Sequence, residues 1–226
     1  MEIVLSPQTE EAVLNINKPP GMTSFDVVRR VRKRFCLKKV GHAGTLDPFA
    51  TGVLLILVGR ATKRFDEFAR FDKEYLAELE FGVETDTHDI QGKVIQKTKP
   101  VPRLSEQKIK AVLKKYRGEI EQIPPAFSAV KYKGRPLYRY ARKNIAVEVR
   151  PRKVVISEME LLENRWPRVK LRIVCSKGTY IRSLARDIGR DLGVGAFVRE
   201  LVRIRVGPYR LEEAVGLEEL LEQSAR

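Results

Sequence analysis

Six apolar residues in succession, Val53-Leu54-Leu55-Ile56-Leu57-Val58, stand between Gly52 and Gly59, and no other segment restricts the available folds as much. Periodicity alone cannot assign a continuous apolar run, but one this short and bounded by glycines favours a buried strand over a helix. The rest of the chain has to cover it. With 226 residues, 43% of them hydrophobic, there is enough material for a full core, as one large domain or two intimately joined halves.

The flanking segments supply further strands and helices. Val13 to Ile16 reads as a short strand entering the loop Asn17-Lys18-Pro19-Pro20-Gly21. Thr23 and Asp26 then have capping-box spacing for a helix with Val28, Val31 and Phe35 on one face. Tyr75, Ala77, Leu79 and Phe81 alternate with Glu74, Glu78 and Glu80, which predicts a half-buried strand with a wet acidic face. After Ser105, the positions of Ile109, Val112, Leu113 and Tyr116 predict a helix that ends near Gly118. Leu171, Ile173 and Cys175 alternate as a strand; Ser176-Lys177-Gly178 then turns into a helix with Ile181, Leu184, Ala185 and Ile188 facing the core. A final strand, Val202 to Val206, and an amphipathic helix from Leu211 end the chain. Strands with and without intervening helices indicate a mixed α+β fold.

The formal net charge is +15, from 44 Lys and Arg against 29 Asp and Glu, which points to a polyanionic partner, nucleic acid first. A generally basic surface rich in ion pairs is the competing explanation. Seven cations and no acid lie between Arg29 and Lys39. Between Lys131 and Lys153, nine cations face one acid, Glu148, with Tyr132, Tyr138 and Tyr140 interleaved. Cations with tyrosines suit phosphates and unpaired bases.

Met1 to Asn17 shows neither a basic-then-apolar leader nor a small-residue cleavage pattern, and no apolar run reaches membrane-spanning length. A soluble, cytoplasmic protein is expected. Cys36 and Cys175 stand far apart without a metal-ligand partner, so neither a zinc site nor a disulfide framework is expected. The acids and His88 of Glu84-Thr85-Asp86-Thr87-His88-Asp89 are of types that bind a divalent cation, although an acidic turn paired with basic neighbours explains them as well.

Gly41-His42-Ala43-Gly44-Thr45-Leu46-Asp47-Pro48 is the most informative loop. Its glycines allow close backbone approach, and Pro48 biases Asp47 toward an extended conformation, so the loop is built to present a carboxylate rigidly. Ordinary turn chemistry accounts for the same residue types.

Four motifs taken together, Asn17-Lys18-Pro19-Pro20-Gly21-Met22-Thr23-Ser24, Gly41 through Pro48, Lys73-Glu74-Tyr75 and Gly178-Thr179-Tyr180-Ile181-Arg182-Ser183-Leu184, closely resemble the TruB family of transfer-RNA pseudouridine synthases over nearly the whole chain. The resemblance implies the pseudouridine synthase fold, a mixed, largely antiparallel sheet flanked by helices. It implies a catalytic domain over 1–210 with a basic insertion at about 124–153, followed by a C-terminal helix, 211–226, with no complete PUA domain. The family commonly continues into such a domain, so the chain is either shortened or a compact member.

The implied activity is isomerisation of uridine 55 in the T-arm loop of tRNA, by base flipping, without cofactor or metal. By the same resemblance Asp47 is the catalytic aspartate, either attacking the ribose or stabilising the cation left as the glycosidic bond breaks. Arg182 matches the arginine that keeps this carboxylate ionised and oriented, and Tyr75 the tyrosine that stacks on the target base. Tyr180 and Leu201 match residues of the uracil pocket, and His42 one that fills the space left by the flipped nucleotide. Lys18 and Pro19 match a motif packed beneath the active-site loop. Transfer RNA is the expected partner of a monomer with no obligatory protein partner. The rival readings are a guide-RNA-dependent synthase of the box H/ACA class and a non-catalytic RNA-binding or chaperone protein.

Overall fold

A computed structural model describes residues 5–143 and 145–222. The chain divides into two compact units, Met1–Tyr75 with Leu201–Arg226, and Leu76–Glu200. It passes between them inside two strands, Lys73–Phe81 and Ala196–Val206.

The apolar run forms the strand Thr51–Gly59 of the first unit, as its sequence predicts, with Val53 through Val58 all buried. On one face Val53, Leu55 and Leu57 pack with Ala43, Ala61, Phe68 and Val206. Burying each such side chain is worth about 1.5–3 kcal/mol, so this strand organises the unit. One of its edges is fully occupied by the antiparallel strand Glu11–Lys18. Two strands share the other edge. Val40–Ala43 runs antiparallel beside Leu55 to Val58, and Val202 and Arg203 pair in parallel with Thr51 and Gly52. Residues 44–50 leave the edge between these two pairings and return as the central strand. The helix Ser24–Arg34 starts at the expected capping box, closed in both directions between Thr23 and Asp26, and buries Val27, Val28 and Val31.

The terminal segment departs from the single helix expected from Leu211. Leu211–Glu213 is one 3-10 turn, and Val215 and Gly216 pair in parallel with Ile16 and Asn17. The helix begins at Leu217 and runs to Glu222. Gly216 suits an extended pairing better than a helix interior. The last part of the expected helix, 223–226, lies outside the described residues.

In the second unit the strands follow the order Lys73–Phe81, Arg168–Cys175, Arg152–Arg165 and Gly118–Gln122. The last two pairings are antiparallel. The helices Glu106–Lys115, capped by Ser105, and Ile181–Asp191 pack in this unit. Pairing is parallel and antiparallel in the first unit and antiparallel at these pairings of the second, so the strands are mixed and largely antiparallel, with helices, as expected for an α+β fold. The basic segment carries its own local structure: a hairpin of Lys131–Tyr132 with Arg135–Pro136, and a short helix, Leu137–Ala141. Tyr132 and Tyr140 meet edge to face at 5.7 Å, and Lys133 and Arg142 lie over the rings of Tyr132 and Tyr138.

The acidic face of Lys73–Phe81 is only partly exposed to water, and arginines line it. Glu74 pairs with Arg205 at 2.7 Å, Glu78 with Arg199 at 3.5 Å, and Glu80 with both Arg199 at 2.7 Å and Arg168 at 3.1 Å. Alternation identifies the residues that share a face. It does not show that neighbouring strands bring arginines to that face. No described helix is long and apolar enough to cross a membrane.

Candidate active site

Asp47 lies in the loop 44–50, whose backbone is fixed from several directions. Asp47, Pro48, Phe49 and Ala50 form a turn in which the Ala50 amide donates to the Asp47 carbonyl at 3.1 Å. Proline in second place presets that turn. The Ser24 hydroxyl accepts from the Leu46 amide at 2.8 Å and donates to the Leu46 carbonyl at 3.1 Å. From the parallel strand, Arg203 donates to the carbonyls of Val53 at 2.7 Å, Gly44 at 3.0 Å and Thr45 at 3.4 Å. Gly44 meets this arrangement at φ +85°, a conformation that glycine adopts without strain.

Lys18 secures the loop from the opposite edge. Its ammonium donates to the carbonyls of Pro19 and Met22 at 2.8 Å each and to that of Pro48 at 3.3 Å. The Gly21 amide adds a bond to Pro48 at 2.8 Å. Lys18 is fully buried, and burial lowers its pKa from the ordinary 10.5 to about 8, with the Asp47 carboxylate opposing the shift and Arg203 reinforcing it. Asp47 is half-buried. A carboxylate is thereby presented on a backbone with little freedom to move, in the field of a buried cation.

The same unit holds four other expected site residues. Pro19 contributes its carbonyl to Lys18. His42 sits on the strand opposite Ile56, and burial first, then Arg203, hold its pKa below the usual value. Its Nδ1 is buried with no hydrogen-bond partner among the described residues. Tyr75 is buried on Lys73–Phe81 and Leu201 on Ala196–Val206.

Tyr180 and Arg182 belong to the second unit. Tyr180 is the N-cap of Ile181–Asp191 but contributes no side-chain cap. Its backbone is held by Gln122, whose amide oxygen accepts from the Tyr180 N–H at 2.8 Å and whose nitrogen donates to the Tyr180 carbonyl at 3.1 Å. Arg182 is buried, with its Nη1 donating to the Thr87 carbonyl at 3.0 Å and its Nη2 to the Phe127 carbonyl at 2.9 Å. Asp89 Oδ2 lies 3.6 Å from its Nη1. The first turn of this helix is thus tied both to the turn at Thr87 and to the root of the basic segment.

The Glu84 to Asp89 segment is an acidic turn paired with basic neighbours. Asp89 accepts from the Thr87 hydroxyl at 2.6 Å and the Gln91 amide at 3.0 Å and faces Arg182; Asp86 accepts from the Lys93 amide at 2.8 Å; Glu84 pairs with Arg190 at 3.4 Å. No group of metal-binding side chains occurs among the described residues. His88 occupies the left-handed region at φ 60°. Burial and the cations of Arg186, Arg182 and Arg190 depress its pKa to about 4.

The sequence alone does not mark the supporting roles of Arg203, Ser24 and Gln122 or the pairing of Asp89. Arg203 and Arg205, two residues apart, share one face of a strand, and nothing in that pattern marks which of the two is buried.

Comparison with known proteins matches residues 32–181 to the TruB family pseudouridylate synthase N-terminal domain and residues 182–226 to the tRNA pseudouridylate synthase B C-terminal domain. The tRNA pseudouridine synthase B of Francisella philomiragia is 48% identical over 212 residues, 94% of this chain and 70% of that protein. Its counterpart in Bacteroides fragilis is also 48% identical, over 91% of both chains. The crystal structure of a Cbf5-Nop10-Gar1 complex contains a chain of the same fold, with 34% identity and a TM-score of 0.73 across 94% of this chain. This chain spans about half of it, 54%.

Proposed function

The chain belongs to the TruB family of pseudouridylate synthases, and from that premise we propose that it converts uridine 55 in the T-arm loop of transfer RNA to pseudouridine, with Asp47 as the catalytic carboxylate. The observation that carries this reading is the Asp47 loop, held by Lys18, Ser24 and Arg203 while Asp47 itself is only half-buried. The reaction detaches uracil from ribose, turns it and rejoins it through carbon. Such an isomerisation consumes no redox equivalent, but it needs an ionised carboxylate at the sugar carbon whose bond breaks, in a pocket from which water is excluded. A uridine reaches that pocket only when flipped out of its stack.

In this proposal Tyr75 stacks on the flipped base, Leu201 packs against it, and His42 fills the space it leaves. Lys18 and Pro19 support the loop. Arg182 and Tyr180 keep the roles implied by the family motif. The excess of positive charge suits the phosphates of a folded RNA.

The test is incubation of the purified chain with unmodified tRNA, followed by mapping of pseudouridine. Product at position 55, lost in Asp47→Asn while RNA binding persists, is the expected result. Undiminished turnover by Asp47→Asn would remove the aspartate from the mechanism. Product only when a guide RNA and partner proteins are added would favour the guide-dependent reading, and no product from either protein would favour an RNA-binding protein.

A further inference from the structure

Phe25 is the most exposed large hydrophobic side chain among the described residues, at 65%. It occupies the second position of the helix Ser24–Arg34, directly after the serine whose hydroxyl exchanges hydrogen bonds with Leu46, the residue before Asp47. The exposed ring is therefore anchored through its neighbour to the candidate catalytic loop. The buried side of the same helix, Val27, Val28 and Val31, faces the core, so folding does not require Phe25.

Arg29, Arg32 and Lys33 continue along the exposed face, four, seven and eight residues on, which places them in one stripe with the ring. Arg29 pairs with Asp26 at 2.7 Å. Arg32 and Lys33 make no ion pair among the described residues and remain open to an outside anion. We propose that this stripe is an RNA-binding surface in which an unpaired base next to the target uridine stacks on Phe25 while the adjoining phosphates lie along Arg29, Arg32 and Lys33.

An aromatic face followed by cations matches the chemistry of an unpaired nucleotide, whose base has a π-face and whose backbone is anionic. A membrane surface fits less well, because an interfacial helix needs a broad apolar face and this one exposes a single ring. The inference rests on the RNA reading above and assigns a contact to the same site.

The test uses a T-arm stem–loop RNA carrying 2-aminopurine in the unpaired loop beside the target uridine. Binding to the wild-type protein should quench the fluorophore through stacking on Phe25. Phe25→Ala should abolish the quench and weaken binding about tenfold or more, with KM raised more than kcat is lowered. Phe25→Trp should restore both signals, and the melting temperature of all three proteins should agree, which a merely structural role for the ring would not produce. Loss of quench and affinity in Phe25→Ala would support the stack even if no pseudouridine formed, so failure of the catalytic reading would be seen separately. Equal quench and affinity in wild type and Phe25→Ala, with pseudouridine still made, would overturn the stack alone. Phe25-dependent binding to phosphatidylglycerol vesicles without binding to the RNA would overturn it in favour of a membrane contact.

Discussion

Lys18 and Arg203 stand opposite the same residue, Gly52, on the two edges of the strand Thr51–Gly59. Both cations are buried, an arrangement that costs several kcal/mol per ion unless hydrogen bonds repay it. Here the repayment is made in backbone carbonyls. Arg203 takes those of Gly44 and Thr45, and Lys18 takes that of Pro48, so the two ends of the loop around Asp47 are held from opposite sides of one strand. The loop that carries Asp47 and the centre of this unit's core are thereby one mechanical piece.

Gly52 is the position this arrangement cannot change. A Cβ there would come within 2.2 Å of the Arg203 carbonyl oxygen, and its φ of +101° is unfavourable for any residue with a side chain. The obstructing atom belongs to the backbone of a paired strand, so it cannot swing aside. Gly52→Ala should lose about 3 kcal/mol or more, from backbone strain plus overpacking. A thermal melt within about 2 °C of wild type would show that the two strands separate more easily than their packing implies.

Much of this was legible in the sequence. The apolar run is the central strand, Thr23 and Asp26 form the capping box, and Asp47-Pro48 opens the turn its residue types suggest. Partners across long sequence separations were not legible. Arg203 and Gly44 are 159 residues apart, and Gln122 and Tyr180 are 58 apart; hydrophobic periodicity reports which face is buried but not which carbonyl waits there. The ion pairs on the acidic face of Lys73–Phe81 were illegible for the same reason, because their arginines come from other strands. The single helix expected from Leu211 is interrupted by the strand pairing at Val215 and Gly216, the latter a residue poorly suited to a helix interior.

Arg203→Met tests the support beneath the loop. Methionine fills similar space but leaves the carbonyls of Val53 and Gly44 without their donor, and a buried group left unpaired costs about 1–3 kcal/mol. The expected loss is about 3 kcal/mol, a fall of roughly 6–12 °C in Tm. Since the loop also loses an anchor, pseudouridine formation at a temperature where the variant is fully folded should drop by about tenfold or more. A destabilised protein with full kcat would separate core stability from catalytic positioning.

Arg182→Lys keeps the charge but not the fork. A single ammonium cannot reproduce the planar geometry with which the guanidinium reaches the Thr87 and Phe127 carbonyls while facing Asp89. The tie between the helix Ile181–Asp191 and the root of the basic segment should loosen, and turnover should fall about a hundredfold. Rapid-quench measurement of pseudouridine at saturating RNA checks this. A variant that retains wild-type turnover would show that charge alone suffices at position 182.

The pH dependence of Lys18 follows from its depressed pKa. In the unfolded chain this lysine titrates at the ordinary 10.5, and in the folded protein at about 8, so between those values the unfolded state holds the extra proton. Stability therefore rises with pH across that window, and the contribution from Lys18 is lost again as pH falls through 8. Activity should move the other way, because the neutral amine has two N–H groups for the three carbonyls of Pro19, Met22 and Pro48. Single-turnover rates should decline above about pH 8, while urea midpoints rise over the same range. Lys18→Arg, which keeps its charge throughout, should show neither trend. If wild type and Lys18→Arg share the same alkaline limb, the titrating group lies elsewhere, in the RNA or in another side chain.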